Sequence, residues 1–189
     1  MSKIIESAKE FFKKRVLDFS SDPYRLIPHV EEAEKLAMFM FERYPETDNE
    51  IVILAVWLHD VGHYPITQED HAVKGKVVAR EFLISKGLSI EKVEKVVHCV
   101  RAHRCKDVMP ETIEAKIMAF IDSASHMTGG MYLDMIKNDK VKDEVLGKLE
   151  RDFRDLSYFP EIKEEMRELY EAWKNLIIAY QNIDLKINK

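Results

Sequence analysis

Two cysteines, six glycines and six prolines in 189 residues exclude several protein classes at the outset. Cys99 and Cys105 stand six residues apart with no CxxC pair and no companions, so a disulfide-stapled secreted scaffold is ruled out. They read as reduced bystanders, and the expected compartment is the cytoplasm. So little glycine and proline excludes a collagenous or disordered chain. No run reaches the ~18 uninterrupted apolar residues of a membrane span, and the opening MSKIIESAKEFFKKRV, broken by charges, has no signal-peptide core. Nor does one sign of charge dominate: 29 Lys and Arg against 34 Asp and Glu give a net charge of −5, with the signs interspersed. That argues against a nucleic-acid surface or an anionic-membrane surface, while leaving room for a small phosphorylated ligand held by a few local cations.

What is present is 46% apolar and 33% charged residues, the balance of a compact soluble domain. A core of this size buries about 70% of the surface of the unfolded chain, so the fold needs neither a disulfide nor a structural metal. Apolar residues recur at helical spacing almost throughout, and no stretch keeps a period of two, which predicts an all-α fold of eight or nine helices in a single domain over 1–189. Helices are expected at about 3–18, from Pro28 to Tyr44, and from a Thr47–Glu50 capping box to near Gly62. Others follow from a cap at Asp70 to Gly87, from a cap at Ser89 to about Arg104, and from Pro110 to about Met127. After the Gly129-Gly130 break, amphipathic helices are expected at about 140–156 and 160–180.

Polar side chains that fall in apolar helical phase carry the functional signal. His29 aligns with Ala33, Leu36 and Met40. His59 and Asp60 close the apolar run ILAVWL, and Asp122 sits one turn after Met118 in IMAFIDSAS. Burying two carboxylates and two imidazoles is costly unless a cation compensates them. The mixed donor set suits a divalent transition metal, whether Mn, Fe, Co, Ni or Zn.

The order of His29, then His59-Asp60 in WLHDVGH, then Asp122 in EAKIMAFIDSASHM resembles the HD-domain superfamily of metal-dependent phosphohydrolases, whose signature is His, His-Asp, Asp. The segment HAVKGKVVAREFLISKG also resembles the stretch that follows this motif in the family. The resemblance covers about residues 25–130, a helical core followed by C-terminal helices at about 140–180. It implies that His29, His59, Asp60 and Asp122 hold one metal and leave positions for water and substrate. Many relatives carry an acidic residue where this chain has Phe120, so contacts particular to those relatives do not carry over.

Further residues extend the site. His71 aligns with Gly75, Val78 and Phe82, and His103 with Val96 and Val100, whereas His98 shares a face with Glu94 and Arg101 and is expected to face solvent. In some HD enzymes two such histidines hold a second metal, and here His71 and His103 are candidates for that role, for direct phosphate contact or for supporting the other ligands. His63 lies one turn beyond His59, where it contacts substrate or moves a proton, or else simply ends a helix at the surface. With Asp60 it forms the candidate catalytic pair. His126, one turn after Asp122, belongs to the rim of the site or to solvent. The cations nearest in sequence are Arg25, Lys74, Arg101, Arg104 and Lys116; Arg25, Lys74, Arg104 and Lys116 are taken as the phosphate-binding set.

The expected activity is hydrolysis of a small phosphate ester, such as a nucleotide or a related metabolite, by metal-activated water. No Walker-type loop and no GxGxxG is present to wrap a triphosphate. Two other readings are a di-iron HD-type oxygenase, which needs the second metal, and a metal- or ligand-binding regulatory module without turnover. Val141, Val145, Leu149, Leu169, Trp173, Leu176, Ile177 and Tyr180 form C-terminal apolar stripes expected to be covered by the chain's own core, as a monomer, or by a second copy, as a homodimer.

Overall fold

The computed structural model describes residues 2–19, 22, 24–137 and 144–182, and every regular element among them is helical. The chain divides into two compact units between Asp122 and Ser123. Among the described residues no helix is long and apolar enough to cross a membrane. Cys99 and Cys105 are not joined in a disulfide.

The first unit is arranged around its most apolar helix. α3 (Asn49–Leu58) buries every residue from Ile51 to Leu58, as a helix apolar on all sides must. α1 (Lys3–Leu17), α2 (Leu26–Arg43) and α5 (Ile90–Ala102) pack against it. α1 offers the stripe Ile5, Ala8, Phe12 and Val16, and Phe12 meets the buried Trp57 edge-on at 6.0 Å. The Trp57 indole donates to Glu34 at 3.0 Å, so the largest core side chain leaves no polar atom unpaired. α4 (His71–Ser85) packs against α5 and against a single 3-10 turn, Val61–His63. α6 (Ile113–Thr128) contributes Asp122 at the boundary of the unit.

Three boundaries differ from the sequence reading. Asp48, not Thr47, caps α3: its carboxylate accepts the Glu50 and Ile51 amides at 3.1 and 3.3 Å, while the Thr47 hydroxyl is buried without a hydrogen bond and Glu50 turns to Lys92. A charged acceptor one residue nearer the helix displaces the expected capping box. α2 starts at Leu26 because Asp22 reaches its first amides, accepting from Leu26 at 2.7 Å and Ile27 at 2.9 Å; Pro28 still lies in the first turn, where no amide is needed. α3 ends at Leu58 instead of running to Gly62, since Asp60 leaves helical dihedrals at φ −99° and ψ 6°.

The second unit contains α7 (Met131–Ile136), α8 (Val145–Asp155), α9 (Pro160–Glu165) and α10 (Arg167–Gln181). The single helix expected at 160–180 is two, parted at Met166. α7, which the sequence does not signal, starts from Gly130 in the left-handed region at φ 75°. The start of the helix expected at 140, with Val141, lies outside the described residues. α10 packs on α7, α8 and α9 through Tyr170 and Ile177, whereas Leu169, Leu176 and Tyr180, expected to be covered, are exposed. Trp173 donates from its indole to the Met127 carbonyl at 3.0 Å.

Candidate metal centre

Each histidine of the centre is aimed by the end of a helix. His59 and His103 are the residues that close α3 and α5, and they are held in the same way. The Nδ1–H of His59 donates to Val56 at 2.8 Å and that of His103 to Val100 at 2.7 Å, each to a carbonyl three residues back, which directs Nε2 inward. His29 is the fourth residue of α2 and is buried. His71 opens α4, behind the cap made by Asp70 on the Ala72 amide at 2.9 Å.

His29, His59, Asp60 and Asp122 converge. His29 Nε2 lies 3.1 Å from His59 Nε2, 3.1 Å from Asp122 Oδ1 and 3.6 Å from Asp60 Oδ2. His59 Nε2 lies 3.4 Å from both Asp60 Oδ2 and Asp122 Oδ1. Donors bound to one ion at about 2.1 Å stand about 3.0 Å apart at octahedral and 3.4 Å at tetrahedral angles, so this spacing fits one transition-metal ion.

The other oxygen of Asp60 faces a second group. Asp60 Oδ1 is 3.4 Å from His63 Nε2, 3.4 Å from His71 Nε2 and 4.0 Å from His103 Nε2. His71 and His103 bring their Nε2 atoms to 3.2 Å, and the His63 and His71 rings stack at 4.1 Å. The single carboxylate of Asp60 therefore stands between two donor sets. Departure from the α-helix at Asp60 makes this arrangement available, because consecutive side chains on a regular helix point about 100° apart.

Charges within the cluster are strongly coupled. Burial opposes charge on His59, yet Asp60 and Asp122 outweigh it and hold the imidazole well above its ordinary value. Burial would likewise raise Asp60, but His59 and His63 keep it well below the usual carboxylate range. For His71 and His103 burial prevails, pushing them down to about 3 and about 4. These two imidazoles are neutral near pH 7 and can donate a lone pair to a cation.

The expected phosphate cations sit on several elements. Arg104 pairs with Asp70, joining the start of α4 to the end of α5. Lys74 donates to the Pro65 carbonyl and to Thr67 Oγ1, and Arg101 pairs with Asp107. Lys116 lies half-buried six residues before Asp122, about 120° around the helix from it. Arg25 is exposed immediately before α2, in the left-handed region at φ 53°. His98, expected in solvent, is half-buried and accepts the Glu111 amide at 3.1 Å.

His126 is not a solvated residue. It is buried in the second unit, with its Nδ1 3.1 Å from Asp152 and 3.2 Å from Lys148, and Asp152 also accepts the Tyr132 hydroxyl at 2.6 Å. The sequence reading misses this network because its members are spread over three helices. It also misses Arg15, which donates from Nε to the Val61 carbonyl at 2.9 Å and from its other arm to Tyr64, pinning the turn that carries His63. A signal existed: Arg15 lies in phase with Ala8 and Phe12 on the buried stripe of α1.

Comparison with known proteins agrees with the motif. The profile of the family described as HD domain matches residues 26–127, more than half of the chain. A protein of Picrophilus torridus named tRNA (cytidine(56)-2'-O)-methyltransferase is 32% identical over 114 residues, covering 54% of this chain and 32% of the relative. The chain thus spans about a third of the length of that curated relative. No solved structure matches.

Proposed function

Since the chain belongs to the HD-domain family, we propose that it is a metal-dependent phosphohydrolase that takes two divalent ions and acts on a small phosphate ester. The observation that carries this reading is the position of Asp60, whose Oδ2 faces His29 and His59 while its Oδ1 faces His63, His71 and His103. The donors fit transition ions in kind as well as spacing, being imidazoles and carboxylates that are mostly buried. His29, His59, Asp60 and Asp122 would hold one ion, and Asp60, His71 and His103 the other. Bound there, divalent ions polarise a phosphoryl oxygen and make water nucleophilic at neutral pH.

The chain's own groups do the rest. Val56 and Val100 fix the tautomers of His59 and His103, so no reorientation is needed when a ligand arrives. His63, a quarter exposed on its turn, is the proton carrier: its Nε2 delivers a proton to the departing ester oxygen. Arg104 and Lys74, held by Asp70 and the Pro65 carbonyl, brace the frame of the site.

A screen for phosphate release from nucleoside monophosphates, sugar phosphates and p-nitrophenyl phosphate, with each divalent metal in turn, tests the proposal. tRNA belongs in the screen because the matched relative is named for action on it. Release that chelation and Asp60→Ala both abolish is expected; no release from any ester with any metal would refute the reading. The second donor set also suits a di-iron oxygenase, for which tightly held iron and oxygen consumption without phosphate release would be the signature.

A further inference from the structure

α10 carries apolar side chains on two faces. Tyr170 and Ile177 are buried against its own unit, whereas Leu169, Leu176 and Tyr180 are 36%, 38% and 45% exposed. At about 100° per residue these three and the half-buried Trp173 fall within about 60° of one another, in a stripe spaced four, three and four residues apart. No charged residue lies in it.

Leu169, Ala172, Trp173 and Leu176 line a concavity of about 130 Å³. Spaced i, i+3, i+4 and i+7, they match the four residues that frame a hole for one side chain of a facing helix. The hole is fixed in advance, since the Trp173 indole donates to the Met127 carbonyl at 3.0 Å and its ring meets Tyr132 edge-on at 5.4 Å.

Charge selects the helix that fits. From Pro160 to Glu171 five glutamates stand against Lys163 and Arg167, a net charge of −3, whereas from Ala172 to Asn182 the only charge is Lys174. A second α10 laid antiparallel sets the acidic half of each copy against the acid-free half of the other; a parallel one would set glutamates against glutamates. In the antiparallel register the stripe is its own complement. Leu169 faces Tyr180 of the second copy, Trp173 faces Leu176 of the second copy, and each Leu176 enters the hole of the other.

We propose that α10 is a homodimer contact in which two copies of the chain pair antiparallel along Leu169, Trp173, Leu176 and Tyr180. A helix about 22 Å long and 10–12 Å across covers less than the ~800 Å² per partner of a standard interface. The dimer is therefore a reversible one.

Sedimentation equilibrium of the full chain from about 1 µM to 1 mM, the span of weak association, tests the contact. The parent should pass from monomer to dimer in that span. Leu176→Asp should raise the dissociation constant at least about tenfold, with helicity by circular dichroism unchanged. Ile178→Asp, about 200° around the helix and 37% exposed, should leave it at the parent's value. Orientation is read by mild oxidation of Leu169→Cys and Tyr180→Cys chains: cross-linking is expected in their mixture and in neither alone, with the parent as the blank for Cys99 and Cys105. A parent that stays monomeric, a dimer that Leu176→Asp leaves intact, an equal loss from Ile178→Asp, or cross-linking of Leu169→Cys with itself would each overturn the inference.

Discussion

Gly62 and Gly75 meet backbone to backbone where the Val61–His63 turn crosses the first turns of α4. A β-carbon on Gly62 would stand 2.0 Å from the His71 carbonyl oxygen and 2.5 Å from Gly75 N, with no flexible side chain to yield. A β-carbon on Gly75 would stand 3.2 Å from the His59 carbonyl and 3.5 Å from Gly62 N. The contact sets His63 beside His71, so it shapes the second donor group as well as the fold.

Gly62→Ala is therefore expected to destabilise the protein by about 1–3 kcal/mol, the range for overpacking, and to weaken binding of one metal. Gly75→Ala should stay within ~1 kcal/mol of the parent, because the alanine's helix preference offsets the tighter contact. Urea unfolding of both variants checks the contrast, and equal losses would show that the crossing is not the constraint.

Arg15→Met removes the donors of the Val61 and Tyr64 carbonyls while keeping an apolar stem. A loss of about 1–3 kcal/mol is expected for acceptors left unsatisfied, with a fall in phosphate release as His63 loses its fixed position. Unfolding midpoints and turnover measured on one preparation would show both; a change in stability without a change in turnover would remove Arg15 from the positioning of His63.

The fold class and the first donor set were legible because burial imposes a period. Four polar residues in apolar phase stand out against ILAVWL and IMAFID whatever their distances in space. The sharing of Asp60 was not legible, because it depends on the backbone leaving the helix at that residue, and no local residue pattern announces φ −99°. The partners of Arg104 and Lys74 were not legible for a related reason. Sequence proximity to a site says nothing of the carboxylate or carbonyl that already holds the cation.

Asp152 predicts an acid-sensitive second unit. Burial would raise its carboxyl, but His126, Lys148 and Tyr132 outweigh that and hold it below the ordinary value. A depressed folded value gives stability that is fully present above the unfolded value of about 3.9 and is lost as pH falls through the folded one. Unfolding between pH 7 and pH 2 should therefore show a decline below about pH 4 that Asp152→Asn removes. At pH 7 that variant should lose about 1–3 kcal/mol, since the half-buried Lys148 loses its charged partner. A pH profile unchanged by the substitution would contradict the role of this network.

His103 and His98, both reached from α5, should part company in metal binding. His103→Ala is expected to retain one ion per chain and His98→Ala two, since His98 only accepts the Glu111 amide. Elemental analysis after dialysis distinguishes them, and loss of metal from the His98 variant alone would reverse the assignment.

The most direct measurement is metal stoichiometry in the parent and in Asp60→Ala, each stripped of metal, reloaded with Mn²⁺ or Zn²⁺, and checked for helicity by circular dichroism. With the two donor sets meeting on Asp60, the parent binds two ions per chain and Asp60→Ala, still helical, retains neither tightly. A folded Asp60→Ala variant with the parent's full complement, or a parent that never binds more than one ion, would contradict the shared carboxylate.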